Sequence, residues 1–435
     1  MKRKILTVVL LVTLVGAVVL SGCGKNSTGG GSSGGASAGG SAAGDSGEAE
    51  DNGFVQGITD DEVVIANSAA TSGAYAPVGV PFLAGLQAYL DMVNDAGGID
   101  GRKIKFLHTD DEFDPAKGSA ALTEYVEDEK VFAIVGHFGT PVVAATVDQL
   151  KEYGIPAVYF ATGIGQLYAD NAKTNADGYN IFPVQPIYRT EGGIMAAYVT
   201  AKFDAKKIGI IYTNDDAGMD LEKGAVAQIE SLDGIEYVEE QVAAGAADVS
   251  AAVTSLKNAN VDYIIIASIQ GTFPTIVKEL AAQSVNKDCI STYVNCSSAM
   301  SEAIIADIPG KFDVYALGWL ENAGAVAEAA LADFQKWTPE EYGTNAYAET
   351  GWIAGFYFTE GLRRLEGQDV TWASYMKALE EAPIQNPFGG IIDYSGGKRL
   401  GTQEMNLFKA VTTAESPMGW LQIEPLQSVE SLLKQ

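Results

Sequence analysis

From Glu62 onward, β-rich runs alternate with helix-spaced runs over short connections, and this alternation restricts the fold more than any other feature. The runs EVVIANSAA, KIKFLHTDD, VFAIVGH and PAVYFAT are rich in branched and aromatic residues. Between them, PFLAGLQAYLDMVNDAGG, PAKGSAALTEYVEDE and TPVVAATVDQLKEYG carry apolar residues at helical spacing. A second set follows Pro186, with KKIGIIYTND, IEYVEEQVA, VDYIIIAS and DCISTYVN as its strands. Successive βα units predict parallel sheets with helices on both faces. Two sets predict two doubly wound, Rossmann-like α/β lobes, and 435 residues that are 47% apolar can fill two such cores. The tail changes character. TNAYAETGWIAGFYFTEGLRRLEG and TWASYMKALEEA read as helices, whereas FGGIIDYSGGKRLG, EMNLFKAV and GWLQIEP read as strands. Such a return of helices and then strands fits a chain that passes between the lobes more than once.

The N-terminus belongs to neither lobe. Lys2, Arg3 and Lys4 precede an apolar run at residues 5–20, and Leu20-Ser21-Gly22-Cys23 then places small residues before a cysteine. The run is short for a membrane span, and the layout is that of an export signal. The LSGC tail resembles a bacterial lipobox, so residues 1–22 are expected to be a lipoprotein signal peptide and Cys23 the lipidated residue. An uncleaved anchor is the plainer alternative. One acyl chain holds only marginally, and a diacylated cysteine would supply the second. After Cys23 the chain is Gly/Ser-rich without apolar periodicity, so residues 23–54 read as the lipidated cysteine and a flexible tether. About thirty such residues reach about 30 Å, taking ~5–6 Å × √n. No later segment reads as long and apolar enough to span a bilayer.

The net charge of −28 argues against nucleic acid and anionic lipid surfaces as partners. Apart from Cys23, the cysteines are Cys289 and Cys296, for which a disulfide and two free thiols are both open. Catalytic signatures are scarce. Only His108 and His137 are present, and neither a G-x-S-x-G elbow nor a phosphate-binding G-x-x-x-x-G-K-[ST] loop occurs. The acidic run Asp110-Asp111-Glu112-Phe113-Asp114 reads as a solvated loop before it reads as a Ca²⁺ site. No enzyme activity, cofactor or metal is expected.

In open α/β sheets, ligands sit beyond the carboxyl ends of the strands. Three such ends in the first lobe carry small or hydroxyl-bearing residues. One is ATSGAYAPVG at 70–79, where Tyr75 can close over a turn. Another is VGHFGTPVVA at 135–144, where Thr140 reads as a helix N-cap and Pro141 as the first helical residue. A helix N-terminus offers unpaired N–H groups and takes a carboxylate readily. Gly139 lets the backbone approach there, while Phe138 and His137 read as wall or support. The third corner is Phe160-Ala161-Thr162-Gly163.

Several strings together resemble the solute-binding proteins of branched-chain amino-acid ABC transporters. They are GAYAPVGVPFLAGLQAYLDMVNDAGGIDGRKIKFLHTDDEFDPAKG, with its N-x-x-GGI-x-G core at 94–104, AIVGHFGTPVVAA, GIPAVYFATG, KKIGIIYTNDDAGMDLEKG, VDYIIIAS and NPFGGIIDYSGGKRLG. The resemblance covers about residues 58–425. It implies a type I periplasmic-binding (Venus-flytrap) fold of two α/β lobes joined by three crossovers. The lobes would be 58–185 plus 317–404 and 186–316 plus 405–435. It also implies a monomeric, extracytoplasmic, membrane-anchored receptor that closes on a small ligand and hands it to an ABC permease. A lipid-anchored sensor of the same fold is the competing reading.

Carried over by position, the resemblance places a carboxylate-binding hydroxyl at Thr140 and a backbone-and-hydroxyl pair at Ala161 and Thr162. Tyr75, Phe138 and Gly139 complete the first-lobe side. In the second lobe the matching corners hold Asp216 beside Ala217, Gln270 after Ser268 and Ile269, and Asn295 between Val294 and Cys296. The family's ammonium-binding acid has no counterpart at this last corner. Asp215, Asp216 or Glu321 would have to replace it, or the ligand carries no ammonium. The expected ligand is therefore an amino acid or a related small carboxylate, with an aromatic acid or an amide as alternatives.

Overall fold

The computed structural model describes residues 53–321 and 324–434. The expected signal peptide, Cys23 and the tether as far as residue 52 lie outside the described residues. In the first half of the chain, β1 (Glu62–Ala69), β2 (Lys103–Asp110), β3 (Ala133–Phe138), β4 (Ala157–Ala161) and β5 (Ile181–Phe182) alternate with α1 (Ala76–Asp95), α2 (Pro115–Thr123) and α3 (Thr140–Tyr153). The strands form one parallel sheet in the order β2-β1-β3-β4-β5.

A second unit of the same kind follows. It contains α4 (Tyr188–Ala197), β6 (Lys207–Thr213), α5 (Asp216–Glu230), β7 (Glu236–Val242), α6 (Ser250–Ala259) and β8 (Tyr263–Ala267). After these come α7 (Thr272–Ala282), β9 (Cys289–Ser291), α8 (Ser298–Ile304) and β10 (Val314–Gly318). The remaining elements are α9 (Ala325–Trp337), α10 (Ala346–Arg363), α11 (Trp372–Glu380), β11 (Ile384–Gln385), β12 (Ile391–Ile392), β13 (Glu404–Ala410), β14 (Trp420–Ser428) and α12 (Val429–Leu433). The second sheet runs β14-β13-β10-β9-β8-β6-β7, parallel from β10 to β7 and antiparallel at its β13–β14 edge. Runs such as β8, Tyr-Ile-Ile-Ile-Ala, are buried at every position, as a parallel sheet covered on both faces requires.

Each lobe is tightened by a glycine-mediated helix crossing. At α1–α10, a Cβ on Gly85 would meet the Ala348 carbonyl oxygen at 1.8 Å, and one on Gly351 would meet that of Phe82 at 1.8 Å. At α4–α5, Gly192 and Gly224 stand in the same relation to the carbonyls of Leu221 and Arg189, at 1.9 and 1.8 Å. Any side chain there would force the backbones apart.

The chain passes between the sheets after β5, after β10 and again before β13, while α10 packs on α1, β3 and β4. The first and last passages run side by side, with the Thr402 N–H donating to the Val184 carbonyl at 2.9 Å. Arg399, fully buried, holds the last passage to the first lobe through a 2.8 Å ion pair with Glu380 and a 2.6 Å bond to the Tyr179 carbonyl. These passages set the position of one lobe over the other and therefore the shape of the cleft.

Some sequence expectations need correction. The segment Gly73–Asp95 is long and apolar enough to cross a membrane, with a mean hydropathy of 1.2, contrary to the reading that no later segment is. Over half of it is buried inside the protein, against α10, which is the behaviour of a core helix. The helix after β3 is capped by Gly139, so Thr140 is its first residue instead of its cap. FGGIIDYSGGKRLG contributes only the two-residue strand β12, because its glycines turn the chain at 395–397. Cys289 and Cys296 are both free thiols.

Candidate ligand site between the lobes

The carboxyl ends of the strands converge on a cavity of about 310 Å³. From the first sheet come Phe138 at the end of β3, Gly139 after it, Thr140 on α3, and Ala161 at the end of β4. From the second come Ile269 and Gln270 after β8, Tyr293 and Val294 after β9, and Gly318 at the end of β10. The wall is largely aromatic, with Phe82, Tyr188, Trp319, Tyr347, Phe408 and Trp420 among its members. Among the described residues, no Asp, Glu, Lys, Arg or His lines it.

The polar end is a cluster of three hydroxyls. Thr140 Oγ1 lies 2.9 Å from Thr162 Oγ1, and the Tyr188 hydroxyl is hydrogen-bonded to both threonine side chains. Thr140 and Tyr188 line the cavity, whereas Thr162, 1% exposed, stands behind them and is not part of the wall. The cluster sits at the start of α3, whose first N–H groups have no partner within the helix. Gly139 makes this corner with φ 93°, and a Cβ there would strike the Phe113 ring at 2.6 Å. Tyr75 stacks on the other side of Phe113, 3.6 Å between ring centroids, and so stands one layer behind the cavity.

The remaining expected site residues have other places. Asn295 is fully buried and accepts from the Gln270 N–H at 2.8 Å while donating to the Ser268 carbonyl and Ser291 Oγ. It fixes the corner that carries Gln270 and does not line the cavity. Asp216 lines a separate, wider cavity of about 720 Å³ with Arg189, Asp220 and Lys223. Asp215 caps α5 through the Gly218 N–H and accepts from Thr213 Oγ1. Glu321 accepts from Gln422 Nε2 at 3.0 Å and is not part of the wall. None of the three acids considered for an ammonium therefore lines the cavity.

The two histidines serve the scaffold. His137 is buried, 2.8 Å from Thr146 Oγ1, and burial pushes its ring down to about 4. His108 lies within hydrogen-bond distance of Asn67 and Thr71. The acidic run at 110–114 is spent on turns and a cap: Asp110 accepts from the Thr71 and Glu112 N–H groups, and Asp114 caps α2. No group of acidic, His or Cys side chains suited to a metal occurs among the described residues.

Sequence reasoning missed the aromatic wall and one support. Tyr293 donates through its hydroxyl to Gln185 at 2.9 Å, and its backbone N–H donates to Glu191 at 2.6 Å. Glu191 is fully buried on α4 and also accepts from Thr292 Oγ1 at 2.8 Å. Its burial pushes the carboxyl up to about 8, against the pull of the two bonds it accepts. The only signal in the sequence is an acid immediately before the small and apolar run Gly192–Ala197.

Comparison with known proteins agrees with the two-lobe fold. A Pseudomonas aeruginosa amino acid binding protein is 25% identical over 225 residues, which cover 52% of this chain and 58% of that protein. The match thus spans little more than half of that relative's length. A Leu/Ile/Val-binding protein homologue of Brucella suis is 26% identical over 348 residues, 78% of this chain and 88% of the other. Among solved structures, a branched-chain amino acid ABC transporter protein from Thermus thermophilus with bound valine superposes with a TM-score of 0.74 at 16% identity, covering 87% of this chain and 99% of that one. A fatty acid ABC transporter substrate-binding protein from Thermomonospora curvata gives 0.72 at 19% identity, covering 87% and 95%. Both share the two-lobe fold. The family described as periplasmic binding protein matches residues 62–415, and the chain belongs to that family.

Proposed function

We propose that the protein is the lipid-anchored receptor of an ABC importer, taking up an apolar carboxylate that bears no ammonium and delivering it to a permease. The observation that carries this reading is the cavity wall, aromatic and without a charged side chain, closed at one end by hydroxyls at a helix start. An amino acid would bury its ammonium there with no carboxylate to meet it, at a cost of several kcal/mol. A carboxylate alone is served by the Thr140 and Tyr188 hydroxyls, which line the cavity with Thr162 behind them, and by the positive end of α3. The fold itself leaves the choice to the lining, since its neighbours include one with bound valine and one that serves a fatty acid transporter.

Binding would be read out as lobe closure. Tyr347, in the first turn of α10, bonds the Val294 carbonyl and Ser297 Oγ of the second lobe at 3.1 Å each. On another edge the Gly165 N–H donates to Asp220 Oδ2 at 2.9 Å. A ligand that touches both lobes only when they meet favours this arrangement by its differential contacts.

The test is a thermal-shift screen of the purified protein against amino acids, aromatic and aliphatic carboxylates, and their amides. Carboxylates are expected to raise the melting temperature in proportion to the logarithm of their concentration, and leucine and valine to leave it unchanged. Stabilisation by leucine or valine equal to that by their deaminated analogues would refute the proposal.

A further inference from the structure

Resting on the reading of Thr140 as the carboxylate seat, we infer that the ligand is an elongated alkyl carboxylate whose chain lies along the β13–β14 edge of the second lobe. The cavity does not stop at the strand ends. Phe408, Ser416, Met418, Trp420, Leu421 and Gln422, all from β13, β14 and their connection, also line it. Strand register gives the extent of this arm. Gly318, at the cleft end of β10, pairs with Asn406, whereas Trp420 pairs with Ala410 four residues further along β13. At ~3.4 Å per residue, the arm runs about 14 Å away from the cleft.

The arm is apolar because its polar groups are already spoken for. Trp420 Nε1 donates to the Ser297 carbonyl at 2.8 Å, and Ser416 Oγ donates to the Trp420 carbonyl at 2.7 Å. Gln422 Nε2 is bonded to Glu321, and the Tyr347 hydroxyl to Val294 and Ser297. What faces a ligand is therefore hydrocarbon, indole and sulfur, from Phe408, Met418, Trp420, Val294 and Cys296. Gly318 opens the entrance: a Cβ there would meet the Phe408 ring at 2.5 Å, so only glycine lets that ring lie against the strand end. Leu421, 48% exposed, brings the far end of the arm to the surface. One end of the cavity thus presents hydroxyls at a helix start and the other presents mainly apolar side chains. A compact acid such as benzoate would leave the arm unfilled, whereas an extended chain would fill it from the cleft outward.

The experiment is calorimetric titration of the purified protein with straight-chain carboxylates from butyrate to laurate, alongside benzoate. Affinity is expected to rise about fourfold per added methylene until the arm is full and then to level off. Met418→Trp is expected to bring the plateau to a shorter chain and to weaken laurate much more than butyrate. Met418 lies half-buried on a surface connection, so the variant should fold, and its unliganded melting curve checks this. A wild-type series that is flat beyond butyrate, or benzoate binding with no alkyl gain, overturns the chain-length inference and leaves the carboxylate reading standing. Failure of every carboxylate to bind overturns the carboxylate reading and this inference with it. A Met418→Trp variant that weakens all lengths equally also overturns the arm.

Discussion

Replacing Thr140 with alanine is expected to weaken carboxylate binding by more than tenfold while leaving the unliganded protein nearly as stable as before. The size follows from what the hydroxyl does. A hydrogen bond to a charged group contributes roughly 1.5–3 kcal/mol, and each 1.4 kcal/mol is tenfold in affinity. Stability should change little because Thr140 does not cap α3: Gly139 occupies that position and no side chain bonds the first N–H groups. The Thr162 and Tyr188 hydroxyls, which already bond one another, lose only a shared neighbour. Thr140→Ser keeps the oxygen and should restore most of the affinity. Calorimetric Kd values for the three proteins decide the matter, together with melting curves in the absence of ligand. An alanine variant that binds as tightly as the wild type removes Thr140 from the site.

This corner was the most legible part of the molecule. A buried strand, two glycines and a Thr-Pro pair within ten residues leave few arrangements, and the structure puts Gly139 and Thr140 on the cavity wall. The missing second-lobe acid was equally readable, because the strand end Tyr293-Val294-Asn295 contains none. What the sequence could not give was the direction of side chains at that end. Asn295 turns inward to tie down the Gln270 corner, and Asp216 points its end of α5 to a different cavity. Such choices depend on which neighbouring backbone groups need partners, and those neighbours are distant in sequence.

The aromatic wall was illegible for the same reason. Tyr188, Trp319, Tyr347 and Trp420 are separated by up to 232 positions, and each lies in a run that any buried helix or strand would share. Only the three passages between the lobes bring them to one place. The β13–β14 edge shows this most clearly, since its antiparallel register carries the cavity past the strand ends where a doubly wound sheet would close it.

Glu191 is expected to cost stability as pH rises from about 4.5 to 8, a loss that His137, held neutral by burial, offsets below about pH 6.5, so the net fall is expected from about pH 6.5 to 8 and Glu191→Gln is expected to flatten it. Glu191 holds its proton to about pH 8 in the folded protein, against an ordinary value of 4.5. Between those values the unfolded chain binds fewer protons than the native one, so raising the pH favours unfolding, at up to about 1.4 kcal/mol per pH unit. Below about 4.5 both states are protonated and the effect vanishes; above about 8 both have ionised and no further loss occurs. Glutamine has the shape of the neutral acid and can still accept from the Tyr293 N–H, so it should match the wild type near pH 5 and exceed it near pH 8. Urea unfolding at pH 5, 6, 7 and 8 measures both slopes. Parallel slopes would show that Glu191 is already ionised in the folded state. The consequence for binding follows from position: Tyr293 forms part of the cavity wall, and its backbone is held by Glu191. A carboxyl whose burial makes the fold sensitive to rising pH is thus also one that holds the second-lobe face of the ligand site.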